Sequence, residues 1–575
     1  GRQPMSNLGC PRSKGPVWVV YNGEIYNFPD IRRDLEQKGH RFTSHCDTEV
    51  ILHAYEEEGI QCVHRFNGMF AFALWDSAKK ELYLVRDRLG IKPLYYYVKD
   101  GKLIFASEIK AILKSKEVSR QLNPASIYRY LGYEFVPAPD TMFRDIKKLE
   151  GAHYIKYSHG VLEKHRYWDI SFHDESKPQL FYVDKIAQLL EESVRKRLIS
   201  DVPVGVFLSG GLDSSTVVAY MNRHVKEPLK TFTIGYEDPS YSELEYARAV
   251  SKQFNTIPTE LIIDPITMMD VEKAVWHLDE PMTDLSTVPF MMICRKAREQ
   301  VKVCLSGEGG DEIFLGYDRF KASKFNQAYQ MIPRWLRHEV ISKMIGKLPD
   351  QDQKKGLINV MKRFVEGSDL PDEGLHMRWQ YFLDPHWNHL LFGETVQRSC
   401  SMNPFEPIRD ILKSCHSSRR LDREQYVDLR FTMPESVLMK VDKMSMATAL
   451  EVRVPFLDHE FIEFCASIPN AYKLQGFSTK AIFRSALKGV LPDTIRNRGK
   501  QGYSLPIKNW IRNELKDYMR TLLNESPVVR DYLKIDFVNT LIQQHTDRTH
   551  NHNHVLWALI NMAVWHKLFI LEEFS

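Results

Sequence analysis

The segment Ser209-Gly210-Gly211-Leu212-Asp213-Ser214-Ser215 constrains this chain more than any other. It lies between an apolar run, Val204 to Leu208, and a helical stretch, Ser214 to Tyr220, and a second apolar run, Lys230 to Tyr236, follows. Strand, Gly-rich loop, helix and strand make a βαβ unit, and such a unit opens a parallel sheet. Glycines let the loop turn tightly and point N–H groups at an anion, while Ser hydroxyls add donors and the helix start adds its dipole. A carboxylate inside a loop that favours phosphate requires a cation, which makes Asp213 a candidate Mg²⁺ ligand. The plainer alternative is an ordinary Gly-Ser turn, against which the strand-loop-helix context weighs. No Gly-Lys-Ser or Gly-Lys-Thr is present in this loop, so kinase or motor chemistry of the Walker type is disfavoured.

A second constellation, Leu305-Ser306-Gly307-Glu308-Gly309-Gly310-Asp311-Glu312, follows another buried-strand pattern, Val301 to Leu305. Loops at the carboxyl ends of neighbouring strands meet in one crevice of a doubly wound sheet, so this loop is expected to face the first. Its three carboxylates would repel one another without metal or an ammonium-bearing substrate. By itself the segment reads equally well as an acidic surface turn. Further on, Lys440 to Ala447 leads into Glu451 to Asp458, a charged helix end followed by a Pro-anchored turn with a structural reading. In Thr479-Lys480-Ala481-Ile482-Phe483-Arg484 the Lys opens an apolar helical pattern, where a solvated charge is the plain expectation.

The chain of 575 residues is too long for one ordinary core, and its pattern changes along its length. From Val17 to about Tyr97 short strands alternate with turn residues, as in an α+β domain. The run Val17 to Tyr21 is apolar throughout, which predicts a strand covered on both faces, and Asn22-Gly23 then predicts a sharp turn. A helical pattern begins near Tyr182, residues 240–254 read as helix, and from Asp350 helical patterns dominate. The expected division is residues 1–172 and 173–575.

The motifs together resemble the glutamine-dependent asparagine synthetase family over essentially the whole chain. SGGLDSS is similar to the pyrophosphate loop of ATP pyrophosphatases, GEGGDE to the family's SGEGxDE loop, KVDKMSMA with EVRVPFLD to DRMSMA with EARVPFLD, and TKAIFR to TKxxLR. The resemblance implies an incomplete N-terminal-nucleophile glutaminase domain followed by an α/β synthetase domain of ATP pyrophosphatase type with a helical C-terminal part. It implies that Leu208, Ser209, Gly210, Gly211, Asp213, Ser214, Ile234, Ser306 and Gly307 bind ATP. Glu308 would support a β-aspartyl-AMP intermediate, Asp311 would join Asp213 around Mg²⁺, and Glu312 would receive the aspartate amino group. Adenylation needs a cation against the charge on pentacovalent phosphorus, and the resemblance gives Lys480 that role.

The early segments Tyr21 to Asn27, Asp47-Thr48-Glu49 and Arg86 to Leu94 are similar to the family's glutaminase domain. Asn22 and the Gly23 N–H would form its oxyanion hole, and Glu24 and Asp47 would hold glutamine's α-ammonium. That chemistry uses a cysteine at the first position, whose free amine is the base. The sequence starts at Gly1, and the family's MCGI, HRGPD and HRRLS segments have no counterpart in it, so several dozen upstream residues are expected to be missing. A complete chain of this sequence would use ammonia; a longer parent would hydrolyse glutamine. Cys10 has no free α-amine and reads as an incidental thiol.

The implied activity is ATP-dependent amidation of aspartate to asparagine with release of AMP and pyrophosphate. Other readings are a relative acting on another carboxylate, as β-lactam synthetases and surface-polysaccharide amidotransferases do, and a silent scaffold. The 78 Lys plus Arg against 74 Asp plus Glu give no reason to propose a nucleic-acid partner. No apolar run is long enough to span a bilayer, and eight scattered cysteines fit reduced thiols in a cytoplasmic protein. The resemblance suggests a homodimer. His545, His550, His552 and His554 read as a solvated loop rather than a metal site, ahead of a core helix carrying Trp557, Trp565 and Phe569.

Overall fold

The computed structural model describes residues 2–8, 15–175, 177–236, 242–263, 267–346, 348, 357–368, 370–499 and 507–574. Cys10 and the start of the helix expected over 240–254 lie outside them; within them that helix is Leu244–Gln253.

In the N-terminal part, strands β1 (Met5–Ser6), β2 (Val17–Ile25), β3 (Gly68–Asp76), β4 (Glu81–Arg86), β5 (Tyr95–Lys99), β6 (Lys102–Ala106), β7 (Ile146–Lys148), β8 (His153–Ser158) and β9 (Val161–Arg166) form two sheets. One has the order β1-β2-β3-β4-β8-β9 and the other β6-β5-β7. Alternation along β3 builds both layers: Ala71 and Ala73 face Leu84, Ile155, Tyr96 and Phe105 between the sheets. Phe70, Phe72 and Leu74 point the other way, into a cluster with Leu35 of α1 (Phe28–Gln37) and Val50 and Ile51 of α2 (Thr48–Glu58).

Two expectations for β2 are corrected. Val17 and Val19 are buried but Val20, paired with Ala73 on the face toward the second sheet, is 36% exposed, because the apolar layer between the sheets covers β3 and β4 but not β2. Nor does the chain turn at Asn22-Gly23. The strand continues to Ile25, paired with β3 from Val17↔Asp76 to Ile25↔Gly68, and the nine-residue ladder overrides local turn preference. Gly23 is needed for close approach: at φ +150°, a Cβ there would lie 2.0 Å from the Met69 carbonyl oxygen.

Beyond the helix Gln179–Lys196 lies a parallel sheet of β10 (Val204–Phe207), β11 (Lys230–Gly235), β12 (Ile257–Ile262), β13 (Val303–Leu305) and β14 (Glu451–Arg453), in the order β12-β11-β10-β13-β14. The chain first builds outward from β10 through β11 and β12, then resumes on the other side with β13. The topological switch point therefore falls between β10 and β13, where SGGLDSS and GEGGDE begin. The fifth strand lies within the part where helical patterns dominate. It sits inside the segment read as a turn, three residues long and followed by Pro455, too short to carry a period.

Helix Asn553–Phe569 is buried along most of its length, Trp557, Trp565 and Phe569 included. Of the four histidines expected in a solvated loop, His550 is exposed there and His554 lies half-buried in the helix itself, but His545 and His552 are buried. His545 ends the helix Ile535–Thr546 fully buried, its Nδ1 accepts from the His552 backbone N–H at 3.1 Å, and His552 is buried too. Burial pushes both imidazoles down to about 4, so they are neutral packing groups near pH 7. Among the described residues no helix is long and apolar enough to cross a membrane.

We place the domain boundary between the end of β9 and the start of the helix at Gln179. The two parts share one apolar cluster, with Phe143 against Trp565 at 5.3 Å between ring centres. Buried charge crosses the same interface: Lys148 Nζ lies 2.8 Å from Glu280 and 3.1 Å from Glu435, and Lys92 Nζ 2.8 Å from Asp442. Removing one member of such a cluster leaves uncompensated buried charge. Lys148→Met is accordingly expected to lose about 3–5 kcal/mol in urea unfolding; an unchanged midpoint would show that Glu280 and Glu435 do not depend on it.

Candidate active site

A cavity of about 650 Å³ opens at the switch point. It is lined by Leu208, Ser209, Gly211, Asp213, Ser214, Ile234, Ser306, Gly307, Glu308, Asp311, Glu312 and Lys480, so residues from four separate segments meet there. Gly210 is the expected ATP-loop residue that does not line it. At φ +70° it makes the turn, packed so tightly that a Cβ would lie 2.5 Å from the Ala247 nitrogen, and its carbonyl accepts from Arg498 Nη1 at 3.0 Å.

The loops interlock through close backbone approach. A Cβ on Gly307 would lie 2.8 Å from the Ser214 nitrogen, and one on Gly310 2.5 Å from Asp213 Oδ1. Gly211 precedes the helix Leu212–His224, and the Gly211 N–H donates to Ser209 Oγ at 3.2 Å. Ser209 Oγ lies 3.0 Å from Ser214 Oγ, which sets two hydroxyls beside a helix N-terminus, a geometry suited to phosphate oxygens.

Lys480 crosses from the C-terminal part to join these loops. Its Nζ lies 2.7 and 2.6 Å from the two oxygens of Asp213 and 2.7 Å from Asp311 Oδ1. It is 5% exposed, which corrects the plain expectation of a solvated charge. The residue caps the helix Ala481–Ala486 with φ +54°, and its N–H donates to the Phe314 carbonyl at 3.2 Å. A non-glycine residue held in that region marks a conformation imposed by its surroundings. Two carboxylates converging on one cation position offer the hard oxygen donors that Mg²⁺ takes beside phosphate oxygens, so Asp213 and Asp311 fit that ion.

The remaining carboxylates meet hydroxyl groups. The Ser306 hydroxyl donates to Glu308, and the Tyr317 hydroxyl donates to Glu312 Oε1 at 2.6 Å. Burial and the neighbouring Asp311 charge push Glu312 up to about 7.

Three basic residues at the cavity were not singled out from the sequence. Lys440 Nζ donates to Asp284 Oδ2 at 2.8 Å and Ser286 Oγ at 2.7 Å. Its segment reads as structural because nothing local reveals that the helix Met439–Met446 turns one end to the crevice. Arg498 donates to Glu243 Oε1 at 2.5 Å and lies over the Tyr246 ring at 3.8 Å; the only local signal is the basic run Arg496 to Lys500. Arg484 donates to the carbonyls of Thr479, Arg496 and Arg498, holding the Lys480 turn against that run.

Asn22, Gly23, Glu24 and Asp47 form a separate cluster at the domain interface. Asp47 Oδ2 accepts from the Tyr21 hydroxyl at 2.6 Å and the Ile25 N–H at 2.9 Å, and Asn22 Nδ2 donates to Ser107 Oγ at 3.3 Å. Antiparallel residues alternate between bonding the two sides, and Phe70 opposite Gly23 gives its carbonyl to Asp87 instead. The Gly23 N–H therefore faces the same edge as that of Ile25, toward Asp47. Burial, with Glu451 and Asp47 nearby, pushes Glu24 up to about 8 against the opposing pull of Arg453, 3.8 Å away. The Arg453 carbonyl accepts from the Ser306 N–H at 3.0 Å, so one residue touches both clusters.

Residues 185–567 match the family model described as asparagine synthase, and residues 1–168 match that of the glutamine amidotransferase domain. The chain is 31% identical to asparagine synthetase [glutamine-hydrolyzing] 1 of Bacillus subtilis, over 97% of this chain and 86% of that protein. It is 35% identical to the putative asparagine synthetase [glutamine-hydrolyzing] 2 of Methanocaldococcus jannaschii, over 77% and 84%. It is also 27% identical to amidase chry2 of Gibberella zeae, over 91% and 82%. With both matched domains in this order and a carboxylate-lysine crevice at the switch point of the second, the chain belongs to the glutamine-hydrolysing asparagine synthetase family.

Proposed function

We propose that the cavity adenylates the side-chain carboxylate of aspartate and that ammonia, which a longer parent would release from glutamine, completes asparagine. The convergence of Asp213, Asp311, Lys480 and Glu312 on one crevice carries this reading, because it combines a phosphate site with a buried anion suited to a substrate ammonium. Ser209, Gly211, Ser214, Ser306 and Gly307 bind phosphate oxygens, and Leu208 and Ile234 pack against the nucleotide base. Asp213 and Asp311 would hold Mg²⁺, which when bound offsets the charge of the triphosphate and its leaving pyrophosphate.

An aspartate β-carboxylate oxygen attacks the α-phosphorus of ATP, and the bond from that phosphorus to the bridging oxygen breaks. Pyrophosphate departs with the bond electrons. Lys480 stabilises the negative charge that grows on the phosphorus oxygens, and Glu308 supports the mixed anhydride. Ammonia then attacks the acyl carbon of β-aspartyl-AMP, AMP leaves with its oxygen, and the extra proton on nitrogen passes to solvent. At the interface, Asn22 and the Gly23 N–H would donate to the oxyanion of glutamine hydrolysis in a longer parent, and Glu24 and Asp47 would hold glutamine's α-ammonium.

Similarity to proteins named amidases supports a second reading, in which the same chemistry serves another carboxylate. Carboxylate-dependent exchange of pyrophosphate into ATP separates the two, since it reports the first half-reaction whatever the nitrogen source. Exchange with aspartate is the expected result; exchange only with other carboxylates would replace the first reading with the second.

Glu312 is protonated below about 7 and ionised above it, so an ammonium partner is held more tightly as pH rises through that value. The KM for aspartate should fall across this window, and Glu312→Gln should raise it roughly 10- to 100-fold and remove the pH dependence, with the KM for ATP unchanged. Gly316→Ala tests the Lys480 geometry, because its Cβ would lie 2.1 Å from Asp311 Oδ1 and 2.2 Å from Lys480 Cε. About a 100-fold loss of exchange rate is expected with folding retained; a wild-type rate would show that this placement is not needed.

A further inference from the structure

We propose that His40, His53 and Glu56 form a zinc-class divalent metal site in the glutamine amidotransferase domain, outside the adenylating cavity. The three side chains come from two elements. His53 and Glu56 stand one turn apart on α2, and His40 follows the end of α1. Side chains of His40 and His53 are 1% and 2% exposed.

Their donor atoms make a triangle of the size a metal requires. His40 Nδ1 lies 3.3 Å from His53 Nδ1, His53 Nδ1 lies 2.9 Å from Glu56 Oε2, and His40 Nδ1 lies 3.4 Å from the same oxygen. A tetrahedral ion bound at zinc-to-nitrogen distances separates its ligands by about 3.3 Å. The triangle thus resembles one face of such a tetrahedron.

The orientation of the two rings is compatible with a cation at the centre. His40 Nε2 lies 2.8 Å from Glu57 Oε1, and the ring tautomer that donates there turns an Nδ1 lone pair toward Glu56 Oε2 and His53 Nδ1. If His53 spends its proton on Glu56, its buried Nε2 presents a lone pair toward Glu49 Oε1 at 3.6 Å, and it has no hydrogen-bond partner among the described residues. Moving that proton to Nε2 resolves the mismatch at Glu49 but leaves two nitrogen lone pairs and a carboxylate oxygen facing one point. A divalent ion satisfies all three.

The surroundings are those of metal-bound histidines, each of whose second nitrogen faces a carboxylate that fixes its tautomer. Glu57 and Glu49 take those positions, and Glu56 Oε1 accepts from Asn7 Nδ2 at 2.7 Å. Two imidazoles and one carboxylate suit zinc above magnesium or calcium, which prefer all-oxygen sets. The site would brace the segment joining α1 to α2. Glu49 already accepts from the Thr43 and Ser44 N–H groups there, each at 2.7 Å, and Asp47 lies on the same segment.

The test uses the full chain, stripped with chelator and kept in excess Mg²⁺ so that the carboxylates of the cavity do not compete. Zn²⁺ is expected to remain at one equivalent per chain after gel filtration. Co²⁺ is expected to give the intense visible absorption of a four-coordinate site, displaced by Zn²⁺. His53→Gln should abolish both, and Glu57→Gln, which alters only the outer carboxylate, should weaken Zn²⁺ binding about 10- to 100-fold. If His53→Gln fails to fold by circular dichroism, Glu57→Gln and zinc-edge X-ray absorption of the wild-type chain decide. Absence of retained zinc, a spectrum without imidazole scattering, or unchanged affinity in a folded variant would overturn the site.

Discussion

The ion triple of Lys480 with Asp213 and Asp311 is the interaction on which the synthetase half depends. Its members come from the loop after β10, the loop after β13 and a turn 175 residues beyond the end of β13 at Leu305, so the triple forms only when all three are in place. Two carboxylates this close repel each other strongly in a buried site, and the ammonium between them makes the arrangement possible. The backbone follows from that demand. Gly307, Gly310 and Gly316 each stand where a side chain would strike Ser214, Asp213 or the Asp311-Lys480 pair, and Lys480 itself is held at positive φ.

The same economy of contacts joins the two domains. Their interface is a continuation of the core with buried lysines set into it, more like the interior of one domain than a mobile contact between two. Strand β14 is the hinge of this design. It completes the parallel sheet beside β13, and its Arg453 gives a carbonyl to Ser306 and turns its guanidinium toward Glu24. A single strand three residues long therefore touches both clusters.

How much of this was legible depended on whether a feature is local. The strand-loop-helix around Asp213 was readable because hydrophobic run, glycines and helix pattern are adjacent, and the structure places that loop where the pattern put it. The pairing of Lys480 with carboxylates was not, since a lysine at a helix start looks the same whether solvated or buried. Asn22-Gly23 misled for the converse reason: the local pair favours a turn, but the ladder with β3 decides the backbone. β14, Lys440 and the buried His545 were invisible because only distant partners give them their roles.

The charges lining the cavity are arranged in a way that bears on which substrate it admits. Lys440 is matched with Asp284, Arg498 with Glu243, and Lys480 with Asp213 and Asp311, so each of these cations is positioned by an acid before any phosphate arrives. Glu312 is different. It is buried, its hydrogen-bond donor is the neutral Tyr317 hydroxyl, and it is pushed up to about 7. A carboxylate in that condition is costly to ionise until a cation approaches, which makes it selective: a ligand bearing an ammonium gains an ion pair in a low-dielectric site, and one lacking it leaves the charge uncompensated. Under the proposed function, this asymmetry favours an amino acid over a simple carboxylic acid as the substrate.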